Sequence, residues 1–175
     1  MKLAVIFTGG TISGLPEEGY LSPSDTTKNM LLKALDSNIA VEGFQPFYIL
    51  SEQLDGEYLT GLIKCAGELL CGDYDGIIVT HGTDTLQYSA AALHLAFSDS
   101  KIPIVLVSAN YILTDSRSNG YTNFRYAVKF IKLGIGGVYV SYKNEGGTPS
   151  IYTADSLLPH NACSDALAAL NGAFG

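Results

Sequence analysis

The sequence predicts an α/β fold: a three-layer α-β-α open sheet, mainly parallel and Rossmann/flavodoxin-like. Three observations carry this. Short apolar runs alternate with helix-length segments along the chain, the pattern of repeated strand–helix units. The runs are apolar at successive positions rather than at every second one, as in strands covered on both faces. Two of them end in threonine- and glycine-rich loops, where open α/β sheets place their ligands.

The strands are expected at Leu3–Phe7, Pro46–Leu50, Gly76–Thr80, Pro103–Val107 and Gly137–Ser141. Helices are expected at Ser24–Asp36, Gly56–Cys71, Thr85–Phe97 and Asn119–Leu133. Ser24-Asp25 is a helix start, followed by Met30, Leu31 and Leu35 at helical spacing. Leu86, Ala90, Leu93 and Phe97 make an apolar stripe on the third helix. Lys143–Pro149 reads as a loop, and Ala162–Ala173 as a short alanine-rich helix starting near Ser164-Asp165. No internal repeat or low-complexity tract interrupts the series.

At 175 residues the chain is the size of one domain. With 47% hydrophobic and only 15% charged residues, disorder is excluded. The low charge is met by a sheet buried on both faces, or by surface that a partner covers. Net charge is −7 with no basic cluster longer than two residues, so nucleic-acid binding has no electrostatic footprint. No apolar stretch reaches the roughly 18 residues of a membrane helix, and the opening segment reads as a strand, not a signal peptide. Cys65, Cys71 and Cys163 make no CxxC pair; reduced, unligated, mostly buried thiols, no structural metal and a cytoplasmic location are expected.

The chemistry concentrates in Thr8-Gly9-Gly10-Thr11-Ile12, after Leu3–Phe7, and Thr80-His81-Gly82-Thr83-Asp84-Thr85, after Gly76–Val79. Each loop offers hydroxyls and glycine-flanked amides, and the second adds a carboxylate. That inventory suits attack on a carbonyl by an activated threonine, with amide donors for the oxyanion. A plainer reading makes the first loop a glycine turn and Thr83, Asp84 and Thr85 an N-cap cluster. A nucleotide site is not indicated, since no GxGxxG or GxxxxGK[ST] occurs, and no GxSxG elbow marks a serine hydrolase.

Together the two loops resemble those of the bacterial-type L-asparaginase family, whose N-terminal domain carries a TGGTI loop and a THGTDT loop. The resemblance runs from Lys2 to about Tyr142, and from Ile104 to Gly120 it needs no gaps. It implies one asparaginase N-terminal-like domain over residues 1–175, without the family's smaller C-terminal domain. It also implies amide hydrolysis, asparagine and water giving aspartate and ammonia, without metal or cofactor.

By this resemblance Thr11 is the nucleophile and Tyr20, on the loop Ser13–Pro23, its activator. That loop is expected to be a hairpin over the site. Thr83 would activate or position the attacking water, and Asp84 would hold the substrate's amino group. Gly10, Gly82, Ser51 and Glu52 would contact substrate, and the Ala109 carbonyl would accept the scissile amide's N–H. His81 is read as structural. Tyr20 also fits an ordinary surface tyrosine, and Glu52 a solvated glutamate.

The family's lysine should fall near Thr153-Ala154-Asp155, where none stands; Lys143 is the only lysine topologically near the site. The expected partners are a small amino-acid substrate and either a homo-oligomer or a separate C-terminal-domain chain. The alternative is a non-catalytic or partner-dependent relative that binds a small amino-acid ligand.

Overall fold

In the computed structural model, residues 1–17, 20–23, 25–159 and 164–174 are described, with the backbone alone at 16, 17, 20–23 and 25. Strands are β1 (Lys2–Phe7), β2 (Gly14–Glu17), β3 (Tyr20–Pro23), β4 (Ala40–Phe44), β5 (Gly76–Thr80), β6 (Pro103–Val107), β7 (Gly137–Tyr142) and β8 (Ser150–Thr153). Helices are α1 (Asp25–Lys33), α2 (Gly56–Leu70), α3 (Leu86–Phe97) and α4 (Gly120–Ile131). Six strands form one sheet in the order β4-β1-β5-β6-β7-β8, parallel except for β8, which runs antiparallel to β7.

The period-two geometry of a strand divides the apolar runs between two cores. Leu3, Val5 and Phe7 of β1 face the layer containing Leu31 of α1 and Phe124, Ala127 and Ile131 of α4. Ala4 and Ile6 face Leu62 and Ala66 of α2 and Leu86, Ala90 and Leu93 of α3. Both faces are therefore filled, which accounts for the continuous apolar runs and the sparse charge.

Among the parallel strands the chain order is second, first, third, fourth, fifth, the flavodoxin-like arrangement. The connection leaving β1 returns through α1 to β4 on one side, and that leaving β5 returns through α3 to β6 on the other. The carboxyl ends of β1 and β5 therefore flank the topological switch point, the crevice where such sheets bind ligands.

Three expectations need correction, and two strands were not expected. Pro46–Leu50 is not a strand: Ile49 alone bridges Gly9, beyond the end of β1, so this segment lines the loop rather than extending the sheet. The strand paired with β1 is β4, whose Ala-Val-Glu-Gly-Phe run is a half-exposed edge without an apolar signature. The strand β8 also escaped the sequence reading; its pairing comes from the main chain of β7.

The alanine-rich helix is likewise absent from the described residues 164–174. Leu157 and Ala169 form an antiparallel bridge, and the Asn144 side chain takes both the N–H and the carbonyl of Leu167. Leu167 is buried with α2 and α3, so tertiary contacts override alanine's helix preference. Finally, Cys71 is exposed rather than buried, Cys65 is half-buried, and both are free thiols; Cys163 lies outside the described residues.

Candidate active site

The loops after β1 and β5 meet through their backbones. Gly10 has φ +71°, and a Cβ there would lie 2.4 Å from both Cα and N of Gly82. A Cβ on Gly82 would in turn lie 2.4 Å from Ser51 Oγ. Glycine at these positions permits the stacking of the two strand-end loops on the Ser51 turn. Beneath it, hydroxyls stitch the loops together. Thr8 Oγ1 donates to the Thr80 carbonyl over 2.7 Å, and Ser13 Oγ pairs with Thr80 Oγ1 at 3.1 Å. Gly10 N–H donates to Ile49 O, and Ile49 N–H to Thr8 O, which brings Ser51 alongside.

Thr11 opens a single 3-10 turn, Thr11–Ser13, whose glycine-led start leaves its side chain at the partly exposed rim. Thr83 is 7% exposed. Asp84 is exposed and accepts from Ser51 Oγ at 2.8 Å. Thr85 precedes α3 but makes no side-chain cap; its hydroxyl donates to the Ser51 carbonyl over 2.8 Å. The N-cap account of this cluster therefore fails for Thr85. Asp84 and Thr85 reach across to the Ser51 turn, and the positive end of the α3 dipole stands behind the Asp84 carboxylate.

His81 is buried and held at both ring nitrogens, Nδ1 by Gly82 O at 2.9 Å and Nε2 by Ser89 Oγ at 2.8 Å. Burial pushes its pKa down, so the ring is neutral and structural. Glu52 follows Ser51 on the same turn and is exposed. Within the expected hairpin, β2 and β3 pair antiparallel, with Tyr20 opposite Glu17 through the backbone. The Tyr20 side chain lies outside the described residues.

Ala109 is fully buried just after β6, and its strand joins the same end of the sheet through His81 N–H donating to Val107 O. Lys143 follows β7; its N–H donates to Asn123 Oδ1 and its carbonyl accepts from Asn119 Nδ2, each at 2.8 Å. No ion pair among the described residues includes Lys143. Residues 153–155, the place expected for the lysine, hold a buried Ala154, and Asp155 faces His94 of α3 at 3.8 Å. No group of three or more His, Cys, Asp or Glu converges as a metal site among the described residues.

The site is thus assembled from the ends of β1, β5 and β6, with Gly10, Gly82, Ser51, Asp84, Thr83 and Ala109 on adjoining segments. The sequence reading missed Asn119 and Asn123, although two asparagines one turn apart at the start of a helix with a buried face were a usable signal.

A comparison of the sequence with known families decides the assignment: the "Asparaginase, N-terminal" family matches residues 2–163. The chain belongs to this family. It is 31% identical over 148 residues to an L-asparaginase of Thermococcus kodakarensis, covering 83% of this chain and 45% of that protein. The solved structure of the thermostable L-asparaginase from that organism superposes with a TM-score of 0.84 at 27% identity, over 98% of this chain and 52% of that one. A glutamyl-tRNA(Gln) amidotransferase subunit from Methanosarcina acetivorans is 35% identical over 138 residues, 74% of this chain and 32% of that protein. A probable cytoplasmic L-asparaginase of Campylobacter jejuni superposes with a TM-score of 0.77 at 26% identity, covering 95% of this chain and 50% of that one. The asparaginase-family chain spans about half the length of the L-asparaginases it matches.

Proposed function

We propose that this chain is the nucleophile-bearing domain of an L-asparaginase-like amidohydrolase, acting in the cytoplasm on a small amino-acid amide. The observation that carries the reading is the stacking of Gly10 on Gly82 at the sheet's switch point, with the Ser51–Asp84 hydrogen bond beside it. Thr11 is partly exposed, and with the two glycine-flanked backbones and the carboxylate on adjoining loops it supports amide hydrolysis.

Thr11 Oγ attacks the substrate's side-chain carbonyl, passing its proton to a base, for which Tyr20 is the candidate. The tetrahedral oxyanion is met by backbone N–H groups of the loops. Collapse breaks the C–N bond as the base returns that proton to the nitrogen, releasing ammonia and leaving the acyl group on Thr11 as an ester. Water positioned by Thr83 then hydrolyses that ester, giving aspartate and restoring the hydroxyl. Asp84, Ser51 and Glu52 hold the substrate's charged ends, and the Ala109 carbonyl accepts from the scissile amide. Lys143, just after β7, is the candidate cation to support Thr83 in place of the family's lysine. No metal or cofactor takes part.

A second reading is supported by the amidotransferase subunits among the relatives. In it the same amidase chemistry operates only in a homo-oligomer or with a separate partner chain. Hydroxylamine tests the covalent step common to both. It converts a threonyl ester to a hydroxamate, so asparagine plus hydroxylamine yields aspartyl hydroxamate with the native chain and none with Thr11→Ala. Equal yields from the two would contradict the assignment.

A further inference from the structure

The side chains of Asn123 in α4 and of Asn119, the residue just before it, join the β6 and β7 ends of the site. Asn123 is fully buried; its Nδ2 donates to Ser108 O and its Oδ1 accepts from Lys143 N–H, both at 2.8 Å. Asn119, one turn earlier and 7% exposed, accepts at Oδ1 from Asn110 N–H over 3.0 Å and donates from Nδ2 to Lys143 O over 2.8 Å. Asn110 returns the contact, its Oδ1 accepting from Asn119 N–H at 3.1 Å. Ser141 Oγ donates to the Asn123 carbonyl at 2.8 Å, closing the set. Ala109 is therefore bracketed through the backbones of both its neighbours, and the Lys143 backbone is held at N–H and carbonyl by the same two residues.

We propose that Asn119 and Asn123 are positioning residues that lock the Ala109 carbonyl and the start of the Lys143 side chain into one rigid wall. The proposal rests on the amidohydrolase reading for its catalytic meaning, but its geometry stands apart from it. An asparagine carries both a donor and an acceptor on a short, planar group, so each can bridge two strand ends at once. No aliphatic residue can, and an aspartate lacks the donor. Buried and mutually satisfied, such bonds make neighbouring segments move together rather than singly. Small displacements of groups around a reacting bond are costly to rate, and the bracket prevents them.

Amide hydrogen exchange on the full chain tests this through crossed readouts. In Asn119→Leu the Lys143 amide keeps its own acceptor, Asn123; in Asn123→Leu the Asn110 amide keeps Asn119. The proposal expects about tenfold loss of protection at the amide whose partner is intact, in either variant. If one variant fails to fold, the other gives the reading. Asn144→Leu removes a strap of the same kind from Leu167 and should leave both amides protected.

In asparagine hydrolysis, Asn119→Leu should lower kcat about tenfold with KM held within about threefold, and Asn144→Leu should change neither. Variants that expose only their own amide, a control that exposes the same amides, or unchanged kcat with coupled exchange would each overturn the positioning role. A native chain that releases no ammonia, alone or with partner, would refute the amidohydrolase reading, while the exchange result would still decide whether the bracket moves as a unit.

Discussion

Ser51 Oγ donates to Asp84 Oδ2 over 2.8 Å, joining the turn that follows Ile49 to the loop that follows β5. The bond engages one oxygen of an exposed carboxylate across the two segments. Removing the hydroxyl in Ser51→Ala should cost about 1 kcal/mol of stability, because one partner remains in solvent. Aspartate should bind roughly tenfold more weakly, since Asp84 regains its rotamer freedom. Denaturant titration and calorimetry read the two effects, and unchanged aspartate affinity would remove Ser51 from the site.

The Gly10–Gly82 apposition makes a second, sharper prediction. Gly10→Ala combines a positive φ with backbone atoms 2.4 Å from the new Cβ, so it should cost more than about 3 kcal/mol or prevent folding. Gly134→Ala has a similar φ of +66° but open space around it, and should cost only about 1 kcal/mol. Urea unfolding of both variants separates contact from conformation; equal losses would contradict the close approach.

Stability should fall on mild acidification because of His81. Its pKa is held below the ordinary 6.5 by burial, so the unfolded chain binds the proton more readily. Stability is then complete above pH 6.5 and declines as pH drops from there towards the folded-state value. His81→Gln removes this titration, so its stability should vary less between about pH 6.5 and 5 than that of the native chain. Identical pH slopes in the two proteins would contradict a buried neutral imidazole.

Lys143 and Lys129 offer a paired test of the missing cation. Lys143 leaves the β7 end beside the site, whereas Lys129 is exposed on α4. Lys143→Ala should lower asparagine turnover by about tenfold, and Lys129→Ala should leave it near native. Equal turnover in the two variants would end the role given to Lys143.

Much of this arrangement was legible in the sequence because it rests on strong local signals. Four of the expected strands, at 3–7, 76–80, 103–107 and 137–141, are buried runs whose apolar character alone marks them. The two glycine-threonine loops lie where the strand ends required. What escaped was pairing decided by the main chain. The edge strand β4 shows Glu42 and Gly43 in place of an apolar run, and β8 exists because β7 has a free edge. The segment Ala162–Ala173 reads as helical from its alanines, yet Asn144 holds Leu167 and the Leu157 bridge holds Ala169 in non-helical backbone. Asn119 and Asn123 were missed because their partners, Ser108, Asn110 and Lys143, are distant in sequence.

The central claim is that Thr11 carries out amide hydrolysis at the crevice between β1 and β5. Ammonia release from asparagine and glutamine by the purified chain, with Thr11→Ala as the blank, tests it most directly. The account predicts release above that blank, from the chain alone or on adding its partner. Release from Thr11→Ala equal to that of the native chain would contradict it.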